Sequence, residues 1–256
     1  MKDLFHTFCA PKLLKNNDVQ DLPRTVIIIF SFSASKLLFS EPNILKEIEI
    51  AKVVKTSSET KEETVYNSLN SNQFALPKVE SFTEALKGFY LLKEKGLISK
   101  NILTLIDFSM SSNSKRPWVI DLTTNTILYN SLVAHGRNTG NEFANSFSNA
   151  AQSFKSSLGF YATGEIYSGK HGKSLRLDGL EKGINSNARQ RAVVIHGADY
   201  VSDSFIQNHE RLGRSLGCPA IPVELTDKII QTIKDKSCLF IYYPSDAYKV
   251  ASKLVS

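Results

Sequence analysis

The chain is short of cysteines, of long apolar runs and of clustered basic residues, and each shortage excludes a class of protein. Its three cysteines, Cys9, Cys218 and Cys238, are odd in number and widely spaced, so they indicate neither a disulfide framework nor a clustered zinc motif. The net charge is +6, but the lysines are scattered, and no arginine-rich run or alternation with aromatic residues indicates nucleic-acid binding. No internal repeat or low-complexity tract is evident.

Residues 26–32 are apolar apart from Ser31, and they begin two positions after Arg24. This stretch is too short to span a bilayer as an ordinary transmembrane helix, and the small residues at 33–35 suit a cleavage point. We therefore expect residues 1–40 to be a signal or export segment and the protein to reach the periplasm or cell envelope. Acidic residues precede the stretch, so a short buried strand is the alternative.

Short apolar runs rich in β-branched and aromatic residues fill the second half of the chain, and Asn, Ser, Thr and Gly separate them. Their frequency predicts a mainly β fold, a sandwich or barrel. A helix is predicted over residues 223–236, where Leu225, Ile229, Ile230 and Ile233 form one apolar face. The predicted strands span residues 102–108, 118–122, 127–133, 160–167, 174–177, 192–195 and 239–243.

The part of the chain before these strands is predicted to be a linker followed by a helix. Residues 56–63 are rich in Ser, Thr, Lys and Glu with little periodicity, which is typical of a linker. Ser81 and Glu84 form a predicted capping box for a packing helix that continues to Gly96. We divide the chain into an export segment over residues 1–40, a linker and helical segment over 41–98, and a mainly β domain over 99–256.

His196 and Cys218 are the candidate catalytic pair. His196 follows the apolar run 192–195, where a buried strand would end, and Cys218 lies in a glycine-containing loop. A thiol with a pKa of about 8.5 is mostly protonated at neutral pH, so a neighbouring imidazole can activate it as a nucleophile. The backbone amides of Leu216, Gly217 and Cys218 would stabilise the oxyanion formed on attack. From spacing alone, a buried cysteine and a satisfied histidine are the commoner explanation.

The sequence of this segment resembles that of the murein L,D-transpeptidase catalytic domains, the YkuD-type family. That family's motif is a histidine followed by glycine, a spacer, and then Ser/Thr-His-Gly-Cys. Here His196-Gly197 and the run from Ser215 to Cys218 occupy those places, and the resemblance extends over residues 100–245. Leu216 replaces the second histidine of the motif, so only a backbone role in the oxyanion hole carries over there. The sequence is therefore similar to a variant branch that reads HGADYV and GRSxGCPA.

The resemblance implies a YkuD-like fold and a two-step acyl transfer on peptidoglycan. Cys218 would attack the carbonyl of the third residue of a stem tetrapeptide and form a thioester, while His196 gives a proton to the departing D-alanine. An amine of a neighbouring stem would then form a cross-link, whereas water would give the tripeptide product of an L,D-carboxypeptidase. A non-catalytic peptidoglycan-binding module is a further alternative, because the motif histidine is missing at Leu216.

Several further residues are predicted to bind the stem peptide or to support the catalytic pair. Arg214, Lys170 and Arg137 carry cationic groups that suit substrate carboxylates, and His171 would line the cleft beside the cysteine. Asp199 would orient His196 or only pin its loop. The remaining supporting residues are Gly197, Ser215, and Tyr161 at the predicted strand entry over residues 157–161.

No cofactor or metal is predicted. Four histidines, His135, His171, His196 and His209, together with Cys218 are chemically suitable zinc ligands. Their spacing does not reproduce a zinc motif, in which paired ligands lie a few residues apart on one turn or helix. A zinc site is therefore kept only as the minor alternative. The predicted partner is a peptidoglycan stem peptide, with neither nucleic acid nor a stable membrane span.

Overall fold

The computed structural model describes residues 59–170 and 172–255 of the chain. The predicted export segment over residues 1–40, Cys9 and His171 lie outside this part, so the predictions that concern them stay predictions. Within it, no helix combines the length and the apolar character needed to cross a membrane.

Five helices and eight strands are found in the described part of the chain. The helices are α1 Lys61–Asn67, α2 Val79–Glu94, α3 Asp203–His209, α4 Val223–Ile233 and α5 Asp246–Ala251. The strands are β1 Ile102–Asp107, β2 Pro117–Asp121, β3 Thr126–Asn130, β4 Gly159–Gly169, β5 Gly172–Gly179, β6 Val194–Gly197, β7 Ala220–Ile221 and β8 Cys238–Tyr242.

All eight strands belong to one sheet, in the order β3-β2-β1-β8-β4-β5-β6-β7. Neighbouring strands in this sheet are antiparallel except for two parallel pairs, β1 with β8 and β6 with β7. The prediction of a mainly β fold is therefore confirmed, and the predicted strands match β1 to β6 and β8 within a few residues. The two-residue strand β7 was not predicted, because a run of two residues carries no periodicity.

The sheet curls until its two edge regions meet. Ala134, four residues after edge strand β3, forms an antiparallel bridge with Ala220 of edge strand β7, and Gly136 forms a bridge with Ser215. The amide of Ala134 donates to the carbonyl of Ala220 at 2.8 Å. These bridges satisfy backbone groups that an open edge would leave exposed, and they bring two distant parts of the chain together.

Helix α2 packs against β1 and β8, and α4 packs against β5 and β6. The apolar face of α2 is buried at Phe82, Leu86 and Phe89, in the same core as the sheet. Gly88 brings this helix close to β4, because a Cβ atom there would lie 2.1 Å from Cζ of Phe160. The predicted domain boundary after residue 98 thus follows a helix that shares the core of the sheet, and the division itself stays a prediction.

Helix α4 has the predicted apolar face, with Ile229, Ile230 and Ile233 buried, although it ends at Ile233 rather than at residue 236. A buried Leu, Ile or Val side chain contributes about 1.5–3 kcal/mol relative to an exposed one, so this face fixes the helix to the sheet.

The capping-box prediction was placed on the wrong helix. The side chain of Thr60 accepts from the amide of Glu63, and the carboxylate of Glu63 accepts from the amide of Thr60, so the box caps α1. Helix α2 begins earlier than expected, with Lys78 as its N-cap, and Ser81 donates to the carbonyl of Lys78 at 3.0 Å. The residues assigned to a linker therefore include the start of a helix.

Arg116 is a fully buried arginine directly before β2. Its guanidinium donates to the carbonyl of Val133 at 3.0 and 3.2 Å and to the carbonyl of Met110 at 2.7 Å. Burial lowers the pKa of Arg116 to about 9, and the charge of Asp107 opposes this shift, so the group stays cationic at neutral pH. Arg116 therefore fixes the segment that bridges the edges of the sheet.

We expect Arg116→Ala to lower the free energy of unfolding by about 3–5 kcal/mol, because it leaves the buried carbonyls of Val133 and Met110 without these donors. Urea unfolding measures this change. Arg137→Ala is the matched control, since the Arg137 side chain is exposed and stacks on Phe154 at 4.2 Å; its loss should cost about 0.5 kcal/mol. Equal losses in the two variants would contradict the assigned role.

Candidate active site

The parallel pairing of β6 with β7 brings His196 and the loop of Cys218 together. His196 is in register with Ala220, and Gly197 with Ile221. The amide of Ala198 extends this pairing by donating to the carbonyl of Ile221 at 3.0 Å. Cys218 lies two residues before Ala220, so in this register it is level with Val194 at the start of β6.

His196 and Cys218 line one cleft of about 430 Å³. It is lined by residues 191–194 and His196, and by residues 214–216 and Cys218. Tyr167, Lys170 and Ser174 extend the cleft along the β4–β5 hairpin. The cleft is large enough for a short peptide segment.

The His196 ring is buried, with 2% of its surface exposed, and its Nδ1 lies 2.9 Å from the carbonyl oxygen of Gly197. A carbonyl oxygen only accepts, so the ring donates through Nδ1. In the neutral ring Nε2 then carries the lone pair, which is the form that a general base needs.

Ser215 determines the conformation of the loop around Cys218. Its hydroxyl donates to the carbonyl of Cys218 at 2.6 Å and accepts from the amide of Gly217 at 3.0 Å. Gly217 has φ of +126°, and a Cβ atom there would lie 2.9 Å from the carbonyl oxygen of Lys155, so the turn requires glycine.

This arrangement changes the expected oxyanion hole. The amide of Gly217 is already engaged by Ser215, whereas no acceptor is found for the amides of Leu216 and Cys218 among the described residues. The Leu216 side chain is 61% exposed. Of the three predicted backbone donors, the amides of Leu216 and Cys218 are therefore the ones available to a ligand.

Residues from other segments also hold the cysteine loop, residues 215–218, in place. The amide of Ser215 donates to the carbonyl of His135 at 3.0 Å, and the amide of Arg137 donates to the carbonyl of Ser215 at 2.8 Å. Ser156 donates to the carbonyl of Gly217 at 3.1 Å. Three contacts from two other segments thus hold the loop, which is the rigidity that a positioned nucleophile requires.

The Cys218 thiol is half-buried and free, and its Sγ donates to the carbonyl of Ala192 at 3.7 Å. Burial raises the pKa of the Cys218 thiol, while the Val194 amide and the Arg191 guanidinium oppose that shift. The other described cysteine, Cys238, is fully buried in β8, as predicted, and burial raises the pKa of its thiol. The two thiols therefore differ in access to the cleft.

The predicted supporting residues lie at different distances from this cleft. Arg214 lines it, and its guanidinium donates to Asn141 Oδ1 at 2.8 Å and to the carbonyl of Gly140 at 3.2 Å. At Gly197, a Cβ atom would lie 2.4 Å from Oγ1 of Thr226, so glycine permits the approach of α4.

Tyr161 and Asp199 are not among the residues that line the cleft. Tyr161 is fully buried, and its hydroxyl donates to the carbonyl of Ser157 at 2.9 Å, so direct contact with a substrate is excluded and only a supporting role stays a prediction. The Asp199 side chain is exposed, and its orienting role also stays a prediction.

Arg191 and Tyr200 also line the cleft, and Arg191 was not among the predicted site residues. Burial raises the pKa of Tyr200 to about 12, and the charge of Cys218 adds to this shift. Arg191 lies five residues before His196 and outside β6, so no periodicity or motif connects it with Cys218. Only the fold brings it there.

His135 belongs to the supporting structure rather than to the cleft. Arg116 donates to its Nδ1 at 2.8 Å, so the neutral ring can donate through Nε2, which lies 3.3 Å from the carbonyl of Gly140. Burial, with the charge of Arg116, lowers the pKa of His135 to about 4. Across residues 59–170 and 172–255, no group of three or more His, Cys, Asp or Glu side chains is arranged to hold a metal ion.

Residues 75–242 of the chain, about two thirds of its 256 residues, match a family model described as the L,D-transpeptidase catalytic domain. No curated protein matches. The family assignment rests on this model.

The fold was also compared with solved structures. An L,D-transpeptidase from Mycobacterium smegmatis is 10% identical, with a TM-score of 0.35, over 56% of this chain and 59% of that one. The helical cell shape determining protein Pgp2 (K307A mutant) from Campylobacter jejuni is 15% identical, with a TM-score of 0.38, over 67% of this chain and 61% of that one. The chain therefore spans about three fifths of the length of these structures.

We expect His135 to make the protein less stable in acid. Its folded pKa of about 4 lies below the unfolded value of 6.5, so the unfolded chain binds the proton first and stability falls as the pH drops from about 6.5 towards 4. The loss should be about 2–3 kcal/mol in urea unfolding. His135→Gln should flatten this pH dependence, while the exposed His209→Gln should leave it unchanged. An equally steep curve without His135 would contradict the assignment.

Proposed function

Because the chain belongs to the L,D-transpeptidase catalytic-domain family, we propose that it is a peptidoglycan L,D-transpeptidase that uses Cys218 as its nucleophile. The observation that carries this proposal is the meeting of His196 and Cys218 in one cleft, with His196 in the tautomer of a base. Under this proposal, residues 99–256 carry the catalytic machinery, and residues 1–40 direct the protein to the periplasm or cell envelope.

The first half of the reaction forms a thioester. His196 takes the proton of the Cys218 thiol through Nε2 as sulfur attacks the carbonyl carbon of the third residue of a stem tetrapeptide. The amides of Leu216 and Cys218 donate to the resulting oxyanion. The tetrahedral adduct then collapses, the bond to terminal D-alanine breaks, and the proton on His196 passes to the departing amine.

Burial of Cys218 bears on the first step. Since burial raises the pKa of the thiol, the resting sulfur is protonated, and the proton moves to His196 as attack proceeds. This direction favours general-base catalysis by His196 over a preformed thiolate–imidazolium pair.

The second half of the reaction releases the acyl group. An amine from a neighbouring stem loses a proton to His196 and attacks the thioester, which forms a cross-link and returns the proton to sulfur. Water in place of the amine gives a tripeptide, as in an L,D-carboxypeptidase. Arg214 and Lys170 at the cleft, together with Arg137, are proposed to bind carboxylates of the stems. His171 is proposed to help hold a stem peptide beside the cysteine.

Incubation of the protein with tetrapeptide muropeptides, followed by mass spectrometry, tests this function. We expect D-alanine release together with a dimer linked through third-position residues. Cys218→Ala should lower the rate of D-alanine release at least about 10³-fold, and His196→Ala should lower this rate about 10²–10⁴-fold. Release that leaves only tripeptide would replace the transpeptidase by a carboxypeptidase.

Cys238→Ala is the matched control, because Cys238 is the other described free thiol and is buried in β8. It should release D-alanine at a rate within a few-fold of the native protein. Intact tetrapeptide after incubation with the native protein would overturn the catalytic proposal and favour a non-catalytic binding module. Full activity of Cys218→Ala would overturn the nucleophile assignment.

A further inference from the structure

We infer that the guanidinium of Arg191 is the fixed counter-charge for the negative charge that develops at Cys218. This inference deepens the proposed function and rests on the nucleophilic role of Cys218. Arg191 would act through its charge at a fixed position, as a positioning residue whose field reaches the sulfur.

The guanidinium of Arg191 is anchored by neutral acceptors. Nη1 donates to the carbonyl of Ser148 at 2.8 Å and to the hydroxyl of Ser157 at 2.7 Å. Nη2 donates to the hydroxyl of Ser153 at 3.2 Å and to the carbonyl of Lys155 at 2.6 Å. All four hydrogens on the two terminal nitrogens are thus used, so the group is poorly suited to clamp a substrate carboxylate and well suited to hold a charge still.

The charge of Arg191 has no carboxylate partner among the described residues. The neighbouring Arg189 shows the contrast, because it forms ion pairs with Glu165 and with Asp178. A half-buried cation without an anion is costly, and a charge held in this way at a cleft is a candidate for a functional role.

The position of Arg191 indicates which group this charge acts on. Arg191 lines the same cleft as Leu216 and Cys218. A Cβ atom at Gly217 would lie 3.4 Å from Nη2 of Arg191, so the guanidinium is against the cysteine loop itself. In a partly desolvated cleft, opposite charges interact more strongly than they do in water.

The ionisation of both groups is consistent with this pairing. Arg191 lowers the pKa of the Cys218 thiol against the effect of burial. Burial in turn lowers the pKa of Arg191, and the charge of Cys218 opposes that shift.

Other titratable groups also face the cleft, and they are arranged differently. His196 and Tyr200 approach from β6 and the loop after it, and Tyr167 and Lys170 from the β4–β5 hairpin. Lys170 is exposed, and Arg214 is bonded to the loop over residues 137–141. Arg191 is the cation whose effect on Cys218 is resolved among these groups.

The test is the pH dependence of iodoacetamide alkylation at Cys218, followed on the Cys218-containing peptide by mass spectrometry. We expect Arg191→Gln to move the midpoint upward by about one pH unit and to slow alkylation at pH 7 by about ten-fold. Arg191→Lys keeps the charge without the four hydrogen bonds, so it should retain most of the native midpoint. Arg189→Gln is the matched control and should leave the midpoint unchanged.

Equal upward shifts in Arg191→Gln and Arg191→Lys would overturn the inference, because the hydrogen bonds rather than the charge would then matter. An unchanged midpoint in Arg191→Gln would overturn it as well. Arg191→Met, also neutral and of similar length, provides the same comparison if the glutamine variant does not fold. Alkylation needs no peptidoglycan, so an Arg191-dependent midpoint without turnover of tetrapeptide would refute the proposed function but not the effect of the Arg191 charge on the thiol.

Discussion

The parallel pairing of β6 with β7 is the constraint on which the candidate site depends. Strand β7 has two residues, too few to hold a loop by itself, but Ala220 is bonded on its other side to Ala134. The short strand is thus enclosed between two segments, and the loop before it is fixed at Ser215 by the backbone of residues 135–137. His196 and Cys218 meet because this edge of the sheet is closed.

Buried or half-buried arginines fix the loops around the site. Arg116 holds the segment before the bridge through the carbonyls of Val133 and Met110, and Arg191 holds residues 148–157 through carbonyls and hydroxyls. A guanidinium can donate to several backbone oxygens of an irregular loop at once. In a sheet, the amides of a neighbouring strand would bond such oxygens instead. Arg191 also places positive charge at the cleft, and we propose that this charge serves the reaction.

The sequence predicted what local patterns determine and missed what only the fold determines. The strands were recovered because their apolar runs are bounded by turn residues, and β7 was missed because two residues show no pattern. Both capping boxes fit the sequence rule, but Ser81 lies buried inside α2 and only Thr60 begins a helix. Arg191 contacts the cysteine loop from 27 residues away in sequence, through bonds to neutral oxygens that no motif records. The engagement of the Gly217 amide by Ser215 was likewise invisible, because it depends on loop geometry.

The central claim is that Cys218 carries the acyl group, and intact-protein mass spectrometry of an acid-quenched reaction tests it most directly. After brief mixing with a tetrapeptide muropeptide, the account predicts an adduct with the mass of the substrate minus D-alanine, mapped by proteolysis to the peptide that contains Cys218. Processing of the tetrapeptide with Cys218 unmodified at every time point, or an adduct on another residue, would contradict it.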